Sequence, residues 1–282
     1  MIDFNTYPSL KDYLKVRANV MVHDWKGRFI VVYDDHRWLL NVLFAMQKYR
    51  DTIPNLIYFD AHDDYSTPKL KASELLKSMK VQHWSEVNER IFQDFVEFEA
   101  NIEDGNWLRI ACELNMVNDV TLIGGQECST LHQDTTIYTS EDNQEHKINK
   151  LSLDLNGLFD HGGKFDPMTY MTNASLHEFF SIEKGQPHVK EMNPYIVDFD
   201  LDCFSVRMCE NYRIPWNQNT FEYMYPHVSK GRMFLQDLLS NAQFITICRE
   251  PEWCGGIGNS NQILNLLDCY LFDGALKTVP AI

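Results

Sequence analysis

The stretch that decides the fold lies at residues 55–64 and reads Asn-Leu-Ile-Tyr-Phe-Asp-Ala-His-Asp-Asp. Its first part, Asn55 to Phe59, is a short apolar run of the kind that forms a buried strand. The run is followed by Asp60, His62 and Asp64, whose side chains are all metal-ligand types. Burying three such groups without a cation would be costly, so the stretch predicts a metal site at a strand end.

Two other apolar runs end in the same residue types. Arg28 to Tyr33, the second arm of a predicted hairpin with Asn19 to His23, leads into Asp-Asp-His36. Tyr195 to Phe199 closes in the sequence Asp198-Phe-Asp-Leu-Asp202. Ligands of open parallel sheets bind at the carboxyl ends of the strands, so we expect these side chains to converge at one edge.

Apolar runs alternate with helical patterns along the chain, which predicts an α/β fold of three layers, with helices on both faces of a mostly parallel sheet. Further strands are predicted at Val120 to Ile123, Thr135 to Thr139, Lys147 to Leu155 and Phe244 to Cys248. Helices are predicted at Arg37 to Tyr49, Leu70 to Met79, Ser85 to Phe98, Asn106 to Asn115, Leu176 to Ile182, Lys230 to Ser240 and Asn261 to Leu271. No repeat or linker divides the chain, so residues 1–282 are expected to form a single domain.

The composition is that of a globular protein with an acidic surface. The formal charge of -15 argues against binding to nucleic acid or to anionic membranes, which requires basic residues. Seven cysteines without a CxxC pair indicate neither a disulfide framework nor a zinc ribbon. With no apolar segment approaching about 18 residues, a soluble protein of the cytoplasm is expected.

The predicted site combines carboxylates with imidazoles, which suits divalent ions such as manganese better than a thiolate set would. Within a strand, Asp60 and His62 point to the same side, as do Asp198 and Asp200, so each pair can converge on one centre. Two ions roughly 3.5 to 4 Å apart that share bridging carboxylates lower the pKa of a water between them. The pattern therefore predicts a hydrolase.

At this point the sequence resembles the superfamily of arginases, agmatinases and histone deacetylases. Residues 60–64 resemble its Asp-Ala-His-x-Asp motif, Asp35-His36 the end of its Gly-Gly-Asp-His element, and residues 198–200 its Asp-x-Asp motif. The resemblance implies an arginase-like fold and two Mn²⁺ ions. It implies that Asp60 and Asp198 bridge both ions, that His36 and Asp64 complete one shell, and that His62 and Asp200 complete the other.

The departures from the ordinary arginase pattern concern the substrate. The Ser-Gly-Asn-x-His-Gly loop, which holds the α-groups of free arginine, is absent, and no Asp-Pro follows the Asp-x-Asp motif. The longer pattern is similar to that of the peptide arginases: the Asp-Ala-His-x-Asp motif comes early, Gly105-Asn-Trp107 in mid-chain, then the Asp-x-Asp strand, and Ile247 to Gly256 near the end. That resemblance implies an arginine-containing precursor peptide as partner and conversion of its arginine side chains to ornithine and urea.

The resemblance also implies catalytic roles beyond metal binding. Asp64 would orient the attacking hydroxide, and Glu250 or Glu252 would hold the guanidinium, because a carboxylate matches its paired donors. His83 and His161 are the candidates for a proton donor to the leaving amine. Association into a homo-oligomer is also left open.

Four other functions are compatible with the sequence. The first is a small-molecule ureohydrolase acting on agmatine or a guanidino acid with the same two metals. The second is a deacetylase-like amidohydrolase with one zinc, although its Asp-x-Asp-x-His element is lacking. The third is a phosphatase of the haloacid dehalogenase type, with Asp198 as covalent nucleophile. The fourth is a metal-dependent protein that binds a precursor peptide without catalysis.

Overall fold

The computed structural model of the protein describes residues 20–50, 53–62, 64–65, 71–99, 106–124, 132–152, 194–209, 212–219, 221 and 230–277. Eight of the strands in these ranges form one sheet, and two form a separate hairpin. The sheet strands are β1 (Met21–Trp25), β2 (Arg28–Tyr33), β3 (Asn55–Asp60), β4 (Val120–Gly124), β5 (His132–Thr139), β6 (Glu145–Ser152), β7 (Tyr195–Asp200) and β10 (Phe244–Cys248). The hairpin consists of β8 (Ser205–Cys209) and β9 (Tyr212–Pro215).

The sheet is mostly parallel. Its strand order is β1-β2-β10-β7-β3-β4-β6-β5. All neighbouring strands from β2 to β6 in this order pair in the parallel direction. Only the two edge strands, β1 and β5, pair in the antiparallel direction, each in a hairpin with its neighbour in sequence. The predicted hairpin of β1 and β2 is therefore present, and the strands predicted from Thr135 and from Lys147 pair as the hairpin of β5 and β6. The β8–β9 hairpin had no counterpart among the predictions.

Six α-helices accompany the strands in the described ranges. They are α1 (Leu39–Arg50), α2 (Ala72–Ser78), α3 (Glu89–Asp94), α4 (Trp107–Glu113), α5 (Lys230–Asn241) and α6 (Ile257–Leu271). A 3-10 turn, His36–Trp38, precedes α1, and a π-helical turn, Phe95–Glu99, continues α3.

Local capping explains where the helix bounds differ from the predicted ones. The segment predicted as one helix from Ser85 is divided, because the Asn88 side chain accepts from the backbone N–H of Arg90 and Ile91 and starts α3 anew. The last helix begins at Ile257, earlier than predicted, directly after the positive-φ residue Gly256. The helix predicted near Leu176, and the end of the strand predicted to Leu155, lie outside the described residues.

Two hydrophobic cores cover the two faces of the sheet. Successive residues of β2 alternate between them: Ile30 and Val32 belong to one core, Val31 and Tyr33 to the other. The first core is completed by α5 and α6, and the second by helices α1 to α4. This is the predicted three-layer α/β/α fold. No described helix is both long and apolar enough to cross a membrane.

The centre of the sheet offers a crevice at its carboxyl edge. Strands β3 and β7 are neighbours, but the chain leaves β3 toward β4 on one side and leaves β7 toward β10 on the other. Connections that diverge in this way leave a gap above the two strand ends, which is where α/β proteins bind ligands. Asp60 ends β3 and Asp200 ends β7, so the metal-ligand types lie at this gap.

Candidate metal centre

Four neighbouring strands deliver the side chains of the candidate centre. His36 begins the 3-10 turn that follows β2, Asp60 ends β3, and His62 and Asp64 follow it. Asp200 and Asp202 lie at the end of β7, and Glu250 follows β10. All these carboxylates of β3 and β7, together with His36, are buried. Six residues predicted from sequence to bind metal are thus brought to one place, although they do not all play the same part in it.

His36 lies at the centre of a ring of carboxylates. Its Nδ1 is 2.8 Å from Asp64 Oδ2, 3.3 Å from Asp200 Oδ2 and 3.5 Å from Asp60 Oδ2. Its Nε2 is 2.7 Å from Asp198 Oδ2. When Nε2–H donates to Asp198, the lone pair of Nδ1 points toward the other three carboxylates, as in a metal-binding histidine oriented by a carboxylate.

Two buried atoms of this ring lack a hydrogen bond. Within the described part of the chain, neither His36 Nδ1 nor Asp60 Oδ2 has a hydrogen-bond partner of acceptable geometry. A buried polar atom without a partner is costly, and a coordinated cation would satisfy both atoms at once. His36, Asp60 and Asp64 form one group whose ligand atoms lie within 4.8 Å of one another.

A second group shares Asp60 with the first. It consists of Asp60, His62 and Asp202. His62 Nδ1 is 3.0 Å from Asp202 Oδ2 and 3.8 Å from Asp60 Oδ1. The side chain of His62 is 41% exposed, so this group is the one nearer to solvent. A carboxylate common to two groups is the geometry expected of a bridged pair of ions.

Asp198 lies two residues before the end of β7, further from the carboxyl edge of the sheet, and belongs to neither group. In the strand register it is opposite Tyr58 of β3 and Thr246 of β10, which places it within the sheet rather than at its edge. Its Oδ1 accepts hydrogen bonds from Tyr33 and Thr246, and its Oδ2 contacts His36. The geometry therefore favours Asp202 over Asp198 as an ion ligand and gives Asp198 the task of orienting His36.

Asp202 belongs to the site, although the sequence motifs did not identify it as a ligand. It is completely buried, accepts from the backbone N–H of Ala61 at 3.2 Å, and lies 3.3 Å from Arg213 Nη1. The signal was present in the sequence, because Asp198, Asp200 and Asp202 recur at the two-residue spacing of a strand. Any two neighbours of the three satisfy an Asp-x-Asp motif.

The cluster holds more carboxylates than it can ionise without a cation. Burial raises the pKa of Asp60 well above its usual value, and the neighbouring carboxylates of Asp64 and Asp200 raise it further. Burial and Asp202 raise the pKa of Asp200 to about 7. Burial alone would lower the pKa of His36, but the surrounding carboxylates, Asp198 foremost, reverse this and raise it well above 6.5. Divalent cations would offset the repulsion between these carboxylates and favour their ionised forms.

Glu250 lies at the other side of the same cluster. Glu250, His36, Asp200 and Cys248 form a third group of close ligand atoms. Burial and the charge of Asp200 raise the pKa of Glu250 to about 11. Burial also raises the pKa of the Cys248 thiol.

Two residues of the centre have strained backbones. Asp64 has φ of 43° and Glu250 has φ of 29°, in the left-handed region that non-glycine residues avoid. Such strain is retained where the surrounding structure holds a residue for a function.

Of the other residues predicted to be catalytic, the structure describes Glu252 and His83. Glu252 and His83 are exposed, and no hydrogen bond or ion pair within the described ranges joins either to the metal-ligand groups. His161 lies outside the described residues. Arg249, which precedes Glu250, forms an ion pair with Asp34, with 2.6 Å between Nε and Oδ1.

The fold and site define a three-layer α/β protein with a histidine and carboxylate cluster at the carboxyl edge of its sheet. No protein-family model matches the chain, and no curated protein matches it. Among solved structures, it is similar to the proclavaminate amidino hydrolase from Streptomyces clavuligerus, with a TM-score of 0.45 and 12% sequence identity. The match covers 89% of this chain and 64% of the other, so the chain spans less than two thirds of that protein.

Proposed function

We propose that the protein is a binuclear manganese hydrolase that converts arginine side chains of a peptide to ornithine with release of urea. The observation that carries the proposal is the sharing of Asp60 between two groups of ligand atoms. His36, Asp60 and Asp64 would hold the first ion, with Asp200 beside them, and Asp60, His62 and Asp202 would hold the second.

The pair of ions would supply a nucleophile by lowering the pKa of water at neutral pH. The residues of the chain have the remaining tasks. Asp64 would accept a hydrogen bond from the attacking water and orient it, as the resemblance implies. Glu250 would hold the guanidinium, because its carboxylate lies beside the first group and a carboxylate can accept two parallel N–H donors. A cationic substrate and two ions would also return Glu250 to its ionised form.

An open rim supports a substrate larger than free arginine. His62 and Trp253 are each 41% exposed, and their rings lie 5.2 Å apart at the mouth of the site. The chain also lacks the loop motif that holds the α-groups of free arginine in ordinary arginases. Chain atoms on both sides of a peptidyl arginine would find space at this rim, with the side chain directed inward.

The geometry disfavours a phosphatase that uses Asp198 as covalent nucleophile. Asp198 is completely buried, and three neighbouring side chains contact its two oxygens. A nucleophile must approach phosphorus within bonding distance, and this carboxylate has no exposed surface from which to do so.

The proposal is tested with the purified chain loaded with Mn²⁺. An arginine-containing peptide, its lysine counterpart, free arginine and agmatine are incubated separately, and urea release and peptide mass are measured. We expect urea and the loss of one CH2N2 unit per modified arginine from the first peptide alone, and no reaction by Asp202→Asn. Urea from free arginine or agmatine but not from peptides would establish a small-molecule ureohydrolase. Metal binding without any reaction would contradict the hydrolase assignment.

A further inference from the structure

We propose that Trp107 is a positioning residue of the first metal site, which fixes the Asp64 carboxylate through its indole N–H and supports the His36 ring with its face. The inference rests on the proposed metal centre but not on the reaction that the centre carries out. Trp107 is the first residue of α4 and is 1% exposed, so it lies beneath the centre and not in the path of a substrate.

The contacts of Trp107 converge on two ligands of the same ion. Its Nε1 donates to Asp64 Oδ2, the oxygen that lies 2.8 Å from His36 Nδ1. Its ring centroid lies 4.6 Å from that of His36, and Tyr58 supports the indole from another side in an edge-on contact at 5.7 Å. One side chain therefore restrains both partners of the pair that must open to admit an ion.

Asp64 needs such a restraint because its backbone is strained. A non-glycine residue at φ of 43° is costly unless the surrounding structure imposes the conformation. The indole N–H can donate but cannot accept, so it holds the Asp64 oxygen as its acceptor, and a hydrogen bond to a carboxylate is a strong one. The restraint extends along the loop, since Arg109 of the same helix lies 4.7 Å over the ring of Tyr65.

A hydrogen-bonded indole is not a general feature of the buried tryptophans of this protein. Trp25 and Trp216 are 3% and 2% exposed, and their Nε1 atoms have no hydrogen-bond partner among the described residues. The bond of Trp107 to Asp64 is therefore specific to the metal centre. Trp25, the last residue of edge strand β1, packs on Phe272 and offers a matched control for the loss of a buried indole.

The test compares Trp107→Phe with Trp25→Phe. Both changes remove a buried indole, but only the first removes a hydrogen bond to a ligand. Binding of Mn²⁺ to each metal-free protein is titrated by isothermal calorimetry, and the magnetic coupling between the ions is followed by electron paramagnetic resonance. We expect the first ion to bind about 10- to 100-fold more weakly in Trp107→Phe, the range found when a residue that orients a ligand is lost. The affinity of the second ion, and both affinities in Trp25→Phe, should stay as in the wild type.

The outcomes distinguish a failure of the role of Trp107 from a failure of the metal centre. If the wild type binds two ions and Trp107→Phe binds them equally well, the positioning role is refuted while the metal centre stands. Equal weakening of both ions in both variants would indicate a general loss of packing and would also refute the role. If the wild type binds no divalent cation, the proposed metal centre fails, and the role of Trp107 fails with it.

Discussion

Whether Asp198 or Asp202 binds the ions can be decided by replacing each of these two aspartates with asparagine. The resemblance to arginases implies that Asp198 bridges both ions, whereas the structure places Asp202 in the second ligand group and Asp198 behind His36. The two variants Asp198→Asn and Asp202→Asn therefore have different expected effects on manganese binding. Each change preserves the volume of the side chain and removes one charge.

The magnitudes follow from the contacts of each residue. Asp202 is one of three members of the second group, with Oδ2 3.0 Å from His62 Nδ1, so its loss removes a ligand. We expect the second ion to bind more than about 100-fold more weakly, beyond the range for residues that only orient a ligand. In Asp198→Asn, an amide N–H facing Nε2 of His36 favours the tautomer with the proton on Nδ1. The first ion should then bind about 10- to 100-fold more weakly, or about 1.4 to 2.7 kcal/mol.

The assay is metal stoichiometry by equilibrium dialysis over a range of Mn²⁺ concentrations, with electron paramagnetic resonance to detect the coupled pair. Asp198→Asn should reach two ions at high Mn²⁺ and recover the coupled spectrum, whereas Asp202→Asn should stop at one. Loss of both ions in Asp198→Asn, with two ions retained in Asp202→Asn, would show that Asp198 is the bridging ligand and that our reading of the register is incorrect.

Three further predictions concern the charges around the centre. The Arg213 guanidinium lies 3.3 Å from Asp202 Oδ2, and its positive charge opposes a cation there, so Arg213→Met should bind the second ion at least about tenfold more tightly in calorimetry. Arg28, whose Nη1 donates to Ala242 O, gives the control variant Arg28→Met, and weaker binding by Arg213→Met would contradict the prediction. Burial raises the pKa of Asp200 to about 7 and that of Glu250 to about 11, so the folded metal-free protein binds protons that the unfolded chain has released. These two carboxyls therefore cost no stability below about pH 4, and their cost grows as the pH rises from there toward the raised values. The melting temperature of the metal-free protein should fall from about pH 5 to pH 9, and Mn²⁺ should reduce the slope; a rise would refute the assignment. Finally, Glu250→Gln should raise KM for an arginine peptide at least about tenfold and the exposed Glu252→Gln should leave it unchanged, whereas the reverse pattern would identify Glu252 as the guanidinium ligand.

Much of the fold was predictable because its signals are local. Residues 55–60 form a strand since an apolar run of that length is too short for a stable helix and is buried on both faces. The order of apolar runs and helical patterns can be read along the chain, and their alternation predicts the three-layer fold with its mostly parallel sheet. Helix ends were less accurate, because they depend on single capping side chains such as Asn88.

The amino-acid sequence by itself determined that three strand ends carry metal-ligand residues and that parallel pairing would bring them to one edge, since both facts depend only on short runs and strand direction. Tertiary structure decided which of these residues join the groups of close ligand atoms. Asp198 lies within the sheet, opposite Tyr58, and its carboxylate accepts a hydrogen bond from Thr246. Asp202 lies in the 3-10 turn that follows β7. The partners that hold the ligands, such as Trp107 for Asp64, come from distant parts of the chain, and packing alone brings them into contact.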